Sequence, residues 1–196
     1  RFIYWKINLF LNFSLIILAG GKSSRMGTDK GLMPFKGIPM IEHITNQFKN
    51  KFQETIIVSE NNNYKPYCDI LIADTYKNTG PLGGIEAGIS VSNNVNNIIL
   101  SCDNPLLKWE VIEYIISNHS KNEIVYSKKK FTHPFPSYFN SSIRPELIKH
   151  IKNGVRKITQ LEEHFNVLNL DCSRFSENNF INFNSPDDLE LFHENN

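Results

Sequence analysis

The 196-residue chain lacks an excess of charge of either sign, paired cysteines and any long apolar run, and each absence removes a class of function. Its 21 Lys and Arg against 20 Asp and Glu leave a formal net charge of +1, so there is no broad basic footprint for nucleic acid. The local run Lys128-Lys129-Lys130 reads as a solvated turn. Three cysteines, Cys68, Cys102 and Cys172, are odd in number and show no metal-site spacing, so they read as reduced thiols of a cytoplasmic protein. The apolar N-terminus mimics a signal peptide, but Lys6, Asn8, Asn12 and Ser14 interrupt it well short of the about 20 apolar residues of a membrane span. No Ser-His-Asp or Cys-His arrangement for nucleophilic catalysis stands out.

What is present is a loop. Leu18-Ala19-Gly20-Gly21-Lys22-Ser23-Ser24-Arg25-Met26-Gly27-Thr28-Asp29-Lys30 follows the apolar Ser14-Leu15-Ile16-Ile17 without a break, so a strand runs into a glycine-rich, cationic turn. Glycines let backbone N–H groups approach a ligand closely, and Arg25 and Lys30 add two positive charges, a combination suited to a polyphosphate. An ordinary strand-to-helix connection accounts for Gly20-Gly21 but not for the two cations. The dinucleotide fingerprint needs a different glycine spacing, and a Walker loop places its Lys directly after Gly and before Ser or Thr, which Lys30 does not satisfy.

Downstream, short β-branched runs at 15–18, 55–58, 70–73, 97–101 and 123–127 alternate with helical patterns at 39–50, 82–92 and 108–118. Such alternation implies an α/β fold with a mostly parallel sheet covered on both faces, a single three-layer α/β/α domain. Ligands of such sheets bind at the carboxyl edge, where the loop from Ala19, Asp74 and Asp103 all fall. A carboxylate at a strand end suits Mg²⁺, although Asp103-Asn104-Pro105 also suits a helix cap. Asp74 has the alternative of a plain turn residue. Cys102 reads as a packed thiol rather than a nucleophile, and Asn61-Asn62-Asn63 and Asn93-Asn94 read as loops without chemistry. Ser185 is a good N-cap with Pro186 at the first helical position.

The loop from Leu18 to Lys30 resembles the signature of GT-A-like, Rossmann-like nucleotidyltransferases, most closely the molybdenum cofactor guanylyltransferases. Thr79-Gly80-Pro81-Leu82-Gly83-Gly84-Ile85, Ser101-Cys102-Asp103-Asn104-Pro105, His133-Pro134 and Asn182-Phe183-Asn184-Ser185-Pro186-Asp187-Asp188-Leu189 are similar to that family's later motifs, in its order. The likeness covers roughly residues 14 to 193; residues 1–13 stand outside it as an extension without assigned function, ahead of a nucleotidyltransferase domain at 14–196.

The resemblance implies transfer of GMP from GTP to the terminal phosphate of molybdopterin, with release of pyrophosphate. It implies Arg25, Lys30 and Asp103 as catalytic residues, with Asp103 holding Mg²⁺ and Asn184 as a second ligand. Leu18, Ala19, Gly20, Gly21, Lys30, Ser59, Asp74, Gly80 and Asp103 would bind the nucleotide, with Ser59 standing where relatives present an asparagine. His133, Asn182 and Asn184 would face the acceptor. Molybdenum-insertion proteins and apo-molybdoenzymes or their chaperones are the implied protein partners of a monomer or weak oligomer, with neither nucleic acid nor membrane involved. A cytidylyltransferase on the same pterin, a transferase for sugar or isoprenoid phosphates, and a non-catalytic carrier are the alternatives; Gly20-Gly21 after Ala19 favours guanine.

Overall fold

Alternation of buried apolar residues along one strand, β1 (Phe13–Leu18), organises the molecule: Leu15 and Ile17 point into one core and Ile16 into another. The computed structural model describes residues 12–20 and 29–194, so Gly21 and Arg25 lie outside the described residues. Strand β1 pairs in parallel with β4 (Glu54–Val58) on one side and β6 (Asn96–Ser101) on the other, with Ile16 opposite both Ile56 and Ile99. Beyond β4 lies β5 (Ile70–Ile72), also parallel. Beyond β6 the sheet continues through β8 (Thr132–Asn140), β7 (Ile124–Lys128) and β9 (Val167–Asp171), giving the order β5-β4-β1-β6-β8-β7-β9 in which β8 alone runs against the rest. A separate small hairpin is formed by β2 (Pro34–Phe35) and β3 (Ile38–Pro39).

Helices α1 (Met40–Phe48) and α3 (Trp109–Asn118) cover one face through Ile41, Ile44, Phe48, Val111, Ile112 and Ile115. Helices α2 (Pro81–Val91) and α4 (Arg144–Lys152) cover the other through Leu82, Ile85, Ile89, Leu147 and Ile151. The last helix, α5 (Pro186–Glu194), starts at Pro186 with Ser185 ahead of it, as its capping residues require. The expected three-layer α/β fold is therefore present, and the expected strands and helices occur with boundaries moved by one or two residues.

Three elements escape periodicity. Strand β8 contains Pro134 and Pro136, which cannot donate to a ladder, but they fall where the register jumps from Tyr126↔Ser137 to Ser127↔His133, so no rung is lost. Strand β9 and helix α4 are largely polar on one side and carry weak patterns. Among the described residues no helix is long and apolar enough to cross a membrane.

At the opposite edge from the strands' carboxyl ends, the Asn93-Asn94 loop is not inert. Buried Glu54 accepts from Ser14 Oγ (2.6 Å), Asn93 N (2.7 Å) and Asn93 Nδ2 (2.7 Å), while Asn94 Nδ2 donates to Ser14 Oγ (3.0 Å). Those bonds tie the end of α2 to β1 and β4. Further along the helix, a Cβ on Gly88 would stand 2.5 Å from Ile16 Cγ2, so α2 lies against β1 with no room for a methyl group. Ile16 is β-branched and fully buried, and cannot yield cheaply. Overpacking costs about 1–3 kcal/mol and exceeds the up to about 1 kcal/mol that alanine gains over glycine in a helix. Gly88→Ala is therefore expected to destabilise the fold by about 1 kcal/mol net, read as a lower urea midpoint at unchanged slope.

Candidate active site

The parallel ladder does not stop where the strands do. Cys102 N donates to Leu18 O (3.2 Å), Ala19 N to Val58 O (3.0 Å) and Ser59 N to Ile72 O (2.8 Å), so the carboxyl ends of β1, β4, β5 and β6 are held flush. Against them lies a cavity of about 990 Å³. Leu18, Gly20, Ser59, Asp74 and Gly80, all expected at the nucleotide, line it; Ala19 does not, because its methyl is buried in the core and its N–H is taken by Val58. Gly80 adopts φ +64, ψ −150 immediately before α2, a conformation that suits glycine and turns the helix's N-terminal end, Pro81 and Gly84, onto the cavity wall. That end carries the positive pole of the helix dipole. Asp74 is partly buried; burial first and the nearby Glu60 second raise its carboxyl above the usual range, and Lys77 partly offsets them.

Beside the cavity three polar groups from distant parts of the chain converge. Lys30 Nζ donates to Asn184 Oδ1 (2.7 Å) and lies 3.9 Å from Asp103 Oδ2. Asp103, itself 8% exposed, accepts through Oδ1 from Ser101 Oγ, and Ser101 also lines the cavity. Phe183 N donates to Asp103 O (2.9 Å), which delivers Asn184 to the cluster. Behind Asn184, Asp188 Oδ2 accepts from Asn184 N (2.7 Å) and Ser185 N (3.1 Å), and Asp188 N donates to Ser185 Oγ (3.3 Å). The bond from Asn184 N leads the interactions that hold the Asp188 carboxyl below its ordinary range.

The helix-cap alternative for Asp103 does not apply. Helix α3 starts six residues later, and its Lys108 N–H is met by Asn179 Oδ1 (2.9 Å), while Asn104 Nδ2 donates to Asn179 O (2.7 Å). Asp103 is left to face Lys30. Among the described residues no group of three His, Cys, Asp or Glu side chains converges on a point where a metal would sit. The donors present, one carboxylate and one amide oxygen, are hard oxygen ligands that suit Mg²⁺ completed by phosphate oxygens and water.

The expected acceptor residues are more scattered. Asn182 is exposed, and its carbonyl accepts from Asn184 Nδ2 (3.3 Å). His133 packs its ring on Phe180 (centroids 4.9 Å apart) and does not line the cavity, although Phe135 does. Burial lowers the His133 pKa, with Glu177 opposing and Lys129 assisting, which favours the neutral imidazole. Lys129 corrects the reading of its run as a solvated turn: its side chain is 8% exposed, and Nζ pairs with Glu177 Oε1 (2.7 Å) and donates to Phe175 O (2.6 Å). Asn61, read as a loop residue, lines the cavity and donates through Nδ2 to Asp29 Oδ2 (2.9 Å). Asn61 and Asn179 carry no sequence signal of their own, and Ser101 and Phe135 none beyond standing in or beside the motifs of Asp103 and His133; only the fold brings them to the site.

Residues 15–167 match the model of the MobA-like NTP transferase domain. The chain belongs to this family. It is a nucleotidyltransferase. A probable molybdenum cofactor guanylyltransferase of Flavobacterium johnsoniae is 36% identical over 185 residues, covering 88% of this chain and 92% of that one. A molybdenum cofactor guanylyltransferase of Pseudomonas putida is 32% identical, covering 90% and 95%. The crystal structure of molybdopterin-guanine dinucleotide biosynthesis protein A from Archaeoglobus fulgidus superposes with a TM-score of 0.77 at 25% identity, covering 92% of this chain and 97% of that one.

In this MobA-like transferase Cys102 adjoins Asp103 but is chemically silent. Burial, then the charges of Asp103 and Asp29, push its thiol up to about 12. A thiol with that pKa is ionised to on the order of one part in ten thousand at pH 8. Native protein treated with iodoacetamide at pH 8 is expected to label at the half-buried Cys68 and to leave Cys102 unlabelled until denaturant is added. Site-resolved mass spectrometry reads the result, and rapid native labelling of Cys102 would contradict its burial.

Proposed function

We propose that the protein transfers GMP from GTP to the terminal phosphate of molybdopterin, forming the guanine dinucleotide cofactor and pyrophosphate. The observation that carries this reading is the convergence of Lys30, Asp103 and Asn184 beside a cavity walled by the nucleotide-motif residues, in a chain whose relatives bear that activity in their names. An oxygen of the acceptor phosphate attacks the α-phosphorus; the new P–O bond forms as the bond to the β-phosphate bridging oxygen breaks, and pyrophosphate leaves with the electron pair. The attacking phosphate is already anionic, so no strong base is required, and positioning and electrostatics supply the rate.

Within that scheme Leu18, Gly20, Ser59 and Asp74 bound the nucleoside, and Gly80 opens α2 beside it. Lys30 exchanges Asn184 and Asp103 for phosphate oxygens; Arg25 is assigned to the β- and γ-phosphates. Asp103 and Asn184 would hold Mg²⁺. When bound, the ion neutralises charge on the α-phosphate and the departing pyrophosphate. His133 and Asn182 are assigned to the acceptor side. Reduced thiols fit a cytoplasmic enzyme.

Pyrophosphate release measured with molybdopterin, Mg²⁺ and each of GTP, CTP and ATP tests the reading. Release is expected with GTP; release with CTP alone would make the protein a cytidylyltransferase, and none with any would refute transfer to this acceptor. Asp103→Ala is expected to lower turnover by about a hundredfold or more at an unchanged unfolding transition, the scale of losing a group that stabilises transition-state charge.

A further inference from the structure

Asp29 lies on the cavity wall and has no task in the transfer scheme. Both its carboxylate oxygens are occupied: Oδ1 accepts from Tyr64 Oη, and Oδ2 from Asn61 Nδ2 at 2.9 Å. The two donors belong to one short turn. Asn61 caps the turn Asn62–Tyr67 through its Oδ1, which accepts from Asn63 N at 3.0 Å, and Tyr64 is fully buried. Burial above all, then the neighbouring Cys102 and Asp29, raises the Tyr64 pKa, so its hydroxyl remains a donor throughout the physiological range.

The same tyrosine fixes the chain on the far side of Lys30. A Cβ on Gly31 would stand 2.5 Å from Tyr64 Oη and 3.0 Å from Cys102 Cβ, so Gly31 is wedged between them. Asp29 O also accepts from Leu32 N at 3.0 Å. Lys30 is thus preceded by a carboxylate with both oxygens bound and followed by a glycine whose neighbours leave no space for a side chain. A lysine stem is long and costly to order, so fixing its root removes part of that cost before a phosphate arrives. On the cavity side, Ser59 Oγ accepts from Asn61 N at 3.1 Å, and Ser59, Asn61 and Asp29 line the wall together.

We propose that Asp29 is the positioning residue of Lys30: with Tyr64 and Asn61 it clamps the root of the phosphate-binding lysine to the lip of the nucleoside pocket. Nucleoside and triphosphate are then gripped by one rigid unit. The inference rests on the transfer reading only in giving Lys30 the phosphates to hold.

A double-mutant cycle separates positioning from general support of the fold. Wild type, Asp29→Ala, Lys30→Met and the double variant are compared by calorimetry for binding of whichever of GTP, CTP and ATP binds most tightly with Mg²⁺. If Asp29 acts through Lys30, Asp29→Ala weakens binding about five- to tenfold in the wild-type background and less than about twofold once Lys30 is gone. Tyr64→Phe keeps the buried ring and is expected to weaken binding about threefold, again only when Lys30 is present. Losses that multiply in the Lys30→Met background, or an Asp29→Ala protein that binds as wild type does, overturn the proposal. Because binding is the readout, absence of pyrophosphate release by the wild-type protein would refute the transfer reading and leave this test intact.

Discussion

Every functional position in this molecule depends on β1 being paired on both sides up to its last residue. Leu18 O and Ala19 N are held by Cys102 and Val58 respectively, so the chain leaves the sheet at a fixed point with its neighbours' ends beside it. A parallel sheet wound in both directions from β1 leaves a crevice where the winding reverses, and the cavity lies there. Had β4 or β6 slipped by one residue, every side chain on that strand would have changed faces, moving apolar residues from one core to the other. The core's alternation of Leu15, Ile16 and Ile17 therefore fixes the register on which the site is built.

The contacts that hold Lys30 in the cluster are individually weak. The 3.9 Å separation of Lys30 and Asp103 is long for an ion pair, and with the side chains 22% and 11% exposed the cost of desolvating both groups offsets most of the Coulomb gain, leaving about 1 kcal/mol net or less. The bond to Asn184 adds a contribution of similar scale, about 1–2 kcal/mol. These contacts hold the ammonium in place, and under the proposed function several phosphate oxygens would outweigh them. Asp103 differs: its second oxygen is held by Ser101, and it does not depend on Lys30 for orientation.

The sheet is legible in the sequence because it has a local cause: buried parallel strands need short apolar β-branched runs. Asp103 and Asn184 are legible as members of ordered motifs, and Ser185 as a cap. Their meeting is not, since Lys30 and Asn184 stand 154 positions apart and only the packing of the last segment joins them. Lys129 fails in the opposite direction. Three consecutive lysines read as solvated, but Glu177, Phe175 O and the face of Phe180 await the middle one, and all three come from a segment nearly fifty residues downstream. Asn61, Tyr64 and Asn179 are legible only as polar loop residues or core, because their roles consist entirely of non-local partners.

A common device places the polar groups of the cluster: each rides on a neighbour that the core or a tight wedge immobilises. Gly31, after Lys30, is trapped between Tyr64 and Cys102; Cys102, before Asp103, is buried; Phe183, before Asn184, is buried in a small third core with Met33, Phe35, Met40 and Leu189. That third core has its own logic. Phe35 comes from the β2–β3 hairpin that follows Lys30 in the chain, and its ring stacks on Phe183 at 5.4 Å. The hairpin thus ties the segment carrying Asn184 to the segment carrying Lys30 by apolar contact, and Phe183 N–H to Asp103 O ties it to the third member. Burying an aromatic ring contributes about 2–3 kcal/mol, more than any single polar contact in the cluster. The positions of the charged and amide groups are therefore set mainly by apolar burial next to them, which leaves the polar contacts weak enough to be surrendered to a ligand.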